Sequence, residues 1–197
     1  RGPGRICLMA HYDTKIDTPG ACDNAAGMAV LLGLAQALSG ASLEHTLEFI
    51  AFCGEEYLPI GDDEYLRRIS DEHGPEASLA QVVAAINFDG VGYLLGSTSL
   101  MITQASADFQ AQAEQIARLY PGVVWVEPWP ESNHSTFAFR GVPALAFSSA
   151  GLAALAHLRS DQADWINPAK LAEAAALAGD LSNALQEHSP SWTRPAG

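Results

Sequence analysis

Acidic and imidazole side chains gather in six short clusters of this sequence, and those that begin at His11, Glu55 and Asp89 follow short apolar segments. In chain order, the clusters are His11 with Asp13, Asp23 with Asn24, Glu55 with Glu56, Asp89 with Gly90, Asn133 with His134, and His157 with Asp161. Open α/β sheets bind ligands beyond the carboxyl ends of their strands, so we expect these side chains to meet at one edge of a sheet. Carboxylates gathered in one cleft repel each other unless cations lie among them. The pattern therefore predicts a metal centre.

Zinc is the metal that these donors favour. A ligand set made mainly of imidazole and carboxylate groups, with few cysteine thiolates, suits a hard or borderline divalent ion. Zinc is the usual choice among these ions for hydrolysis. Two histidines and three carboxylates suffice for two ions if one carboxylate bridges them. Two dications, three carboxylates and one bridging hydroxide sum to a neutral cluster, whereas a single ion would leave the cleft negative.

Taken alone, these residues also have ordinary interpretations. Asp23 could cap the helix that follows it, and the pair Glu55 and Glu56 could form a solvated loop. The convergence of several clusters at one cleft favours the metal centre over these separate interpretations.

The segments that must position these residues alternate between strand-like and helix-like patterns. Apolar runs of strand length lie at 6–10, 47–52, 82–88, 100–103, 123–127 and 144–148. Helix-like segments lie at 24–38, 62–69, 107–120, 134–139 and 168–187, the last with Asn167 as its cap and Pro168 at its first position. This alternation predicts a three-layer α/β/α sandwich with a mostly parallel, mixed central sheet. We expect one domain over 1–188 and a frayed polar tail over 189–197.

Composition narrows the classes of function. The 197 residues are 48% hydrophobic and include 10 basic and 23 acidic side chains, for a net charge of −13. Nucleic acid is therefore not an expected partner, and anionic membrane surfaces are disfavoured for the same reason. No apolar run reaches the ~20 residues that span a bilayer. Three cysteines do not make a disulfide scaffold, and both an exported and a cytoplasmic location stay open.

Six sequence blocks follow one another in a characteristic order. They are AHYDTK at 10–15, TPGACDNAAG at 18–27, FIAFCGEE at 49–56, NFDGVG at 87–92, NHSTF at 133–137 with GVPA at 141–144, and HLRSD at 157–161. These blocks resemble the co-catalytic zinc aminopeptidases of metallopeptidase family twenty-eight, which include bacterial leucyl aminopeptidases and, more distantly, glutamate carboxypeptidase and glutaminyl cyclase. The resemblance runs from residue 6 to about residue 185, and it implies the zinc-exopeptidase, phosphorylase/hydrolase-like fold.

The resemblance also implies a set of metal ligands for two Zn²⁺ ions per chain. Asp23 would bridge the two ions. One ion would be completed by His11 and Asp89, and the other by Glu56 and His157.

Other residues would act beside the metals. Glu55 would be the general base and then the general acid for a hydroxide that bridges the ions, and Asp13 would orient the first histidine ligand. We also expect Asp161 to orient the second histidine ligand. Asn133 and His134 belong to a block near the substrate, and we expect them to contact the substrate or the transition state.

Three positions depart from the usual pattern of the family. Cys22 replaces an acid or a bulky apolar residue, and we expect it to pack as a small hydrophobic residue. Asn133 replaces an aspartate and so removes a charge near the site. Arg159 places a cation near His157, so the occupancy of the zinc position that His157 completes stays open.

The chain opens almost directly on the segment that carries His11, whereas family members usually have a helix and edge strands before it. A sheet edge left uncovered invites pairing. We therefore expect either a trimmed upstream segment or a homo-oligomer.

Taken together, these features predict a zinc-dependent aminopeptidase that hydrolyses the amino-terminal peptide bond of peptides. The net charge of −13 is compatible with recognition of a cationic amino terminus. Two alternatives stay open: a single-zinc acyltransferase similar to glutaminyl cyclase, and a catalytically silent binding domain. The preferred amino-terminal residue is not predicted. Candidates for the wall of its pocket, with core packing as the alternative, are Trp125, Trp129, Phe137 and Phe139.

Overall fold

A mixed sheet forms the centre of the molecule. The computed structural model describes residues 4–70 and 74–196, and within these ranges six strands form one sheet. The strands are β1 (Arg5–His11), β2 (Thr46–Phe52), β3 (Val82–Phe88), β4 (Thr98–Thr103), β5 (Val123–Trp125) and β6 (Ala144–Ser149). Their order across the sheet is β2-β1-β3-β6-β4-β5. Neighbouring strands are parallel except for β4 and β6, which are antiparallel, so the predicted mixed and mostly parallel sheet is confirmed.

Helices cover both faces of this sheet. They are α1 (Ala26–Ala37), α2 (Ile60–Ile69), α3 (Pro75–Leu79), α4 (Ala107–Ala117), α5 (His134–Ala138), α6 (Pro168–Leu185) and α7 (Pro190–Thr193). One apolar cluster joins α1, α4 and α6 to the sheet, and another joins α2, α3 and α5 to it. This arrangement confirms the predicted three layers. None of the helices in the described ranges is both long enough and apolar enough to cross a membrane.

The side chains of β1 show why both faces need cover. Successive residues of a strand point to opposite faces of the sheet. Ile6 and Leu8 belong to the cluster on the α1, α4 and α6 side, whereas Cys7 and Met9 belong to the cluster on the other side. All four are fully buried, so β1 is a central strand with no solvated face.

Helix α6 begins as its sequence predicts. The side chain of Asn167 accepts a hydrogen bond from the backbone N–H of Ala169 at 3.0 Å, and Pro168 occupies the first helical position. Leu177 and Leu181 are buried in the apolar cluster on this side of the sheet, and α6 packs against α1. The packing of α6 against α1 completes the helical layer on this face of the sheet.

Some predicted boundaries differ from those observed. The helix predicted from residue 24 begins at Ala26, because Asp23 and Asn24 lie in a tight turn, Ala21–Ala25, with non-helical backbone angles. The strand predicted over 123–127 ends at Trp125. Helix α3 was not predicted, since five residues are too few to show a helical period.

The prediction of a frayed tail over 189–197 is wrong for the residues that the structure describes. Thr193 is fully buried, and its Oγ1 donates a hydrogen bond to the carbonyl oxygen of Val83 at 2.7 Å. The backbone N–H of Ser106 donates to the carbonyl oxygen of Thr193 at 2.7 Å. Helix α7 is thereby attached to β3 and to the start of α4.

Candidate metal centre

The polar clusters meet at the carboxyl-terminal edge of the parallel strands. His11 is the last residue of β1, Asp89 directly follows β3, and Glu55 and Glu56 lie in the turn that follows β2. Because β1 pairs in parallel with both β2 and β3, these three strand ends lie side by side. His157 reaches the same edge from the segment that follows β6.

One group of ligands forms around His11, which is fully buried. Its Nε2 lies 3.3 Å from Asp89 Oδ1 and 3.4 Å from Asp23 Oδ1. Its Nδ1 lies 3.1 Å from the carbonyl oxygen of Asp13, which can accept a hydrogen but not donate one. Nε2 is therefore the nitrogen that is available to bind a cation.

A second group forms around His157 and shares Asp23 with the first. His157 Nε2 lies 3.2 Å from Asp23 Oδ2 and 3.1 Å from Glu56 Oε2. Asp23 therefore presents Oδ1 to one histidine and Oδ2 to the other. Within each group, the ligand atoms lie within 4.8 Å of one another. The structure brings together all five residues that the resemblance implied as ligands.

The tight turn Ala21–Ala25 positions Asp23. The peptide bond between Asp23 and Asn24 is cis, and both residues are buried. Asn24 Nδ2 donates to the carbonyl oxygen of Phe88 at 2.8 Å, and its Oδ1 accepts from two backbone N–H groups at 3.1 and 3.2 Å. Asn24 thus joins the turn to the end of β3, which carries Asp89.

Asp161 fixes the same turn from the other side. Its Oδ1 accepts a hydrogen bond from the backbone N–H of Cys22 at 2.7 Å, and its Oδ2 accepts one from the backbone N–H of Asp23 at 3.0 Å. The expectation that Asp161 orients His157 is therefore wrong, because both of its oxygens bind the backbone beside Asp23 instead.

Asp13 joins the first histidine to the turn after β2. Its carboxylate accepts hydrogen bonds from the backbone N–H groups of Glu55 and Glu56 at 3.3 and 3.2 Å. Its Oδ1 also lies 3.6 Å from His11 Nδ1. The carboxylate of Asp13 therefore holds the backbone of the two glutamates, whereas His11 Nδ1 is hydrogen-bonded to the Asp13 carbonyl oxygen. That the Asp13 carboxylate orients the histidine stays a prediction.

The electrostatics of the cluster suit a bound cation. Burial lowers the pKa of His11, but hydrogen bonds to Asp23 and Asp89 outweigh burial and raise this pKa to about 11. Burial, followed by the charge of Asp89, raises the pKa of Glu55 to about 7. Glu56 Oε1 is buried and has no hydrogen-bond partner among the described residues. Converging carboxylates, two imidazoles and an unpaired buried oxygen fit zinc.

A cleft of about 630 Å³ leads to the cluster, and Glu55 is part of its lining. Trp129 and Leu152 give it an apolar wall. Lys15 also lines the cleft, with Nζ 3.4 Å from Glu56 Oε2 and 4.6 Å from the centre of a tyrosine ring. Sequence reasoning missed Lys15 and Leu152 as cleft residues, since neither charge nor spacing separates them from surface and core residues.

Asn133 and His134 lie beside the cluster and belong to neither ligand group. His134 is fully buried, and its Nε2 donates to the carbonyl oxygen of Trp129 at 2.9 Å. Burial lowers the pKa of His134, which favours the neutral form of its ring. Asn133 Nδ2 donates to Asp62 Oδ2 at 2.8 Å. Contact of either residue with substrate stays a prediction.

The two other departures from the family pattern have structural explanations. Cys22 is fully buried beside Tyr93 and Leu155, and burial is the main cause that raises the pKa of its thiol to about 12. It thus packs as a small hydrophobic residue, as predicted. Arg159 Nη2 donates to the exposed Asp17 at 2.8 Å, so this cation is paired at the surface.

The four aromatic candidates for the pocket wall occupy different places. Trp129 lines the metal cleft, whereas Phe137 is fully buried in the core. Phe139 lines a neighbouring hollow, and Trp125 lines a cavity beside β5 and the end of α4.

Comparisons with known proteins agree with this geometry. The model of peptidase family M28 matches residues 1–182. Among curated proteins, the chain is 33% identical over 90 residues to aminopeptidase YwaD of Bacillus subtilis (strain 168), across 46% of this chain and 19% of that protein. It is 34% identical over 85 residues to the alkaline phosphatase isozyme conversion protein of Escherichia coli (strain K12), across 36% of this chain and 25% of that protein.

Solved structures share the fold. The aminopeptidase from Aneurinibacillus sp. strain AM-1 matches with a TM-score of 0.79 and 24% identity, over 98% of this chain and 45% of that chain. BSAP, a zinc aminopeptidase from Bacillus subtilis, matches with a TM-score of 0.80 and 21% identity, over 98% of this chain and 50% of that chain. The chain therefore spans half or less of the length of these relatives.

Proposed function

The chain belongs to peptidase family M28, and we propose that it is a zinc-dependent aminopeptidase that hydrolyses the amino-terminal peptide bond of peptides. The observation that carries the proposal is the position of Asp23, whose two oxygens face two separate groups of ligands. Similarity to aminopeptidase YwaD and to the zinc aminopeptidase BSAP supports the same activity.

Two zinc ions are proposed for the two groups. His11 and Asp89 would hold one ion, Glu56 and His157 would hold the other, and Asp23 would be shared. Zinc bound at such a site lowers the pKa of water towards about 7 and polarises the carbonyl of the scissile bond. The protein supplies ligands fixed by β1, by β3 and by the turn that carries Asp23.

Glu55 is proposed to move the proton. Its Oε2 lies 4.0 Å from His11 Nε2, so it stands at the edge of the first ligand group. In the protein without metal, burial, followed by the charge of Asp89, raises its pKa to about 7. A carboxylate placed beside the ligand group can accept a proton from water and return it. Glu55 accepts a proton from the attacking water and transfers it to the leaving amine. Its neighbour Glu56 faces His157 instead, which separates the ligand from the base.

The substrate is proposed to be a peptide with a free amino terminus. Among the carboxylates that line the metal cleft, Glu55 and Glu131 are not proposed as zinc ligands, and their charge favours an ammonium group over an anionic end. Trp129 and Leu152 provide apolar surface for the first side chain of the peptide.

Substitution of Glu55 by glutamine tests the proposed mechanism. Glutamine keeps the size of the side chain but cannot take a proton, so we expect kcat on aminoacyl anilides to fall by about 10²–10⁴-fold. The zinc content should stay at two ions per chain. Glu44→Gln, which changes an exposed glutamate just before β2, should leave both quantities unchanged. Unchanged activity of Glu55→Gln would exclude Glu55 as the base.

Zinc content and activity of the unchanged protein also distinguish the proposed aminopeptidase from the two alternatives. One zinc ion per chain together with cyclisation of amino-terminal glutamine would identify an acyltransferase similar to glutaminyl cyclase. Bound metal without turnover of any peptide, amide or anilide would identify a binding domain.

A further inference from the structure

A second hollow, of about 380 Å³, adjoins the metal cleft. Glu55 lines both cavities, so they meet at the proposed base. The walls of the second hollow come from the turn and helix after β2 and from α5 with its flanking residues. Those that matter here are Leu58, Asp62, Asp63, Asn133, Phe139 and Arg140.

Large apolar side chains lie on the rim of the second hollow. Leu58 is 63% exposed and Phe139 is 75% exposed, although both are large hydrophobic side chains. Large apolar side chains exposed around one cavity are typical of a binding surface. The hollow therefore has a rim that can bury an apolar ligand.

The base of the second hollow is polar and fixed. Asp62 is 3% exposed and accepts hydrogen bonds from Asn133 Nδ2 at 2.8 Å and from Thr136 Oγ1 at 2.6 Å. Asn133 Oδ1 is buried and has no partner in the part of the chain that the structure describes. A buried acceptor without a partner in the lining of a cavity points to a ligand that brings a hydrogen-bond donor, such as a peptide N–H.

We infer that the second hollow binds the residue that follows the scissile bond, and that it prefers a large apolar or aromatic side chain there. This inference rests on the proposed aminopeptidase function. When the scissile peptide bond lies beside Glu55, the amino-terminal residue and its ammonium group occupy the metal cleft. The leaving part of the peptide must then extend past Glu55 on the other side, where the second hollow opens.

The charges that line the second hollow predict which side chains it disfavours. Glu55, Asp62 and Asp63 line the second hollow, and Arg140 is the one basic residue in its lining. An acidic side chain in this position meets net repulsion, whereas a neutral side chain does not. Substrates with Phe after the scissile bond should therefore be cleaved best, and those with Glu there worst.

Leaving groups of different size test the inference. The substrates are the simple amide X-NH₂, in which ammonia leaves and cannot reach the second hollow, and the dipeptide amides X-Phe-NH₂, X-Gly-NH₂ and X-Glu-NH₂. X is the amino-terminal residue that the zinc-loaded protein releases fastest from its simple amide. We expect kcat/KM to be about tenfold higher for X-Phe-NH₂ than for X-Gly-NH₂, and lowest for X-Glu-NH₂.

Variants of the rim make the test specific. Leu58→Ala and Phe139→Ala each change an exposed side chain, and each should lower kcat/KM for X-Phe-NH₂ by about five- to tenfold while the value for X-NH₂ stays unchanged. Leu119→Ala, an equally exposed leucine after α4, should change neither value. Equal rates for the three dipeptide amides, or equal losses on X-NH₂ and X-Phe-NH₂, would overturn the inference. Failure to hydrolyse any of these amides, simple or dipeptide, would instead overturn the proposed function, and the inference with it.

Discussion

Each carboxylate oxygen of Asp23 faces a different histidine, so the candidate centre consists of two joined positions. Asp89 completes the first position and Glu56 the second. Without a cation these carboxylates repel one another, and the protonated ring of His11 offsets part of that repulsion. A metal ion at the same place would take over this role and displace the proton.

Zinc binding should therefore release protons. Because the pKa of His11 is raised to about 11, the ring is charged at pH 7 in the metal-free protein. The stability that this charge contributes is complete below the unfolded pKa of about 6.5 and is lost as the pH rises through about 11. A histidine ligand must be deprotonated, so zinc uptake at pH 7 should release about one proton per chain or more. Calorimetric titration in two buffers of different ionisation enthalpy measures this number.

The His11→Gln variant should release fewer protons than the original protein in the same titration. A binding enthalpy that does not depend on the buffer would contradict the assignment of His11 as a ligand.

Individual site residues were predictable where they follow a predicted strand along the chain. His11, Glu56 and Asp89 follow apolar runs, and strand ends of a parallel sheet meet. The role of Asp161 was not predictable, because its partners are backbone N–H groups that lie 138 and 139 residues away. Spacing along the chain gives no sign of such a contact.

At the scale of elements, the turn Ala21–Ala25 controls where the shared ligand lies. Asp161 satisfies two backbone N–H groups of this turn. Asp161→Ala should weaken zinc binding by about 10- to 100-fold, because a group that positions a ligand is lost. Zinc titration measures the effect. Asp164→Ala, an exposed position in the same segment, is the matched control and should keep the original affinity.

An unchanged zinc affinity in Asp161→Ala would show that the turn holds its conformation without this carboxylate. In that case the position of Asp23 would depend on Asn24 and its bonds to the end of β3.

Helix α7 should contribute to stability, although its sequence predicts a tail. Thr193→Val removes the hydrogen bond to the carbonyl oxygen of Val83 and leaves that buried oxygen without this partner. We expect the free energy of unfolding to fall by about 1–3 kcal/mol, measured by chemical denaturation. Ser191→Ala, at an exposed position of the same helix, should change it by less than about 0.5 kcal/mol. Equal stability of Thr193→Val and the original protein would indicate a frayed end.

Strands and helices were predictable where the segment was long enough to show a hydrophobic period, or where a capping residue marked the start of a helix. The strand at 82–88 has the predicted bounds, and α6 starts at Pro168 behind its Asn167 cap. Helices α3 and α7 have five and four residues, which is too short for a helical period, and tertiary contacts hold them. The start of α1 was misplaced because the turn before it is shaped by contacts with Phe88 and Asp161.

At the scale of the whole molecule, the alternation of strands and helices was sufficient to predict three layers and a mixed sheet. The cavities were not predictable in the same way. The second hollow is formed by residues 55–66 and 132–140, which are far apart in the chain, so its existence depends on how α2 and α5 lie beside each other. The sheet places both segments at the strand ends that carry the metal ligands.

The most direct measurement is an anomalous-scattering map at the zinc edge, from crystals of protein prepared without chelators. We expect two peaks about 3.5–4 Å apart. One should lie between His11 and Asp89, the other between Glu56 and His157, and Asp23 should contact both. A single peak, or no peak within reach of Asp23, would contradict the two-zinc centre.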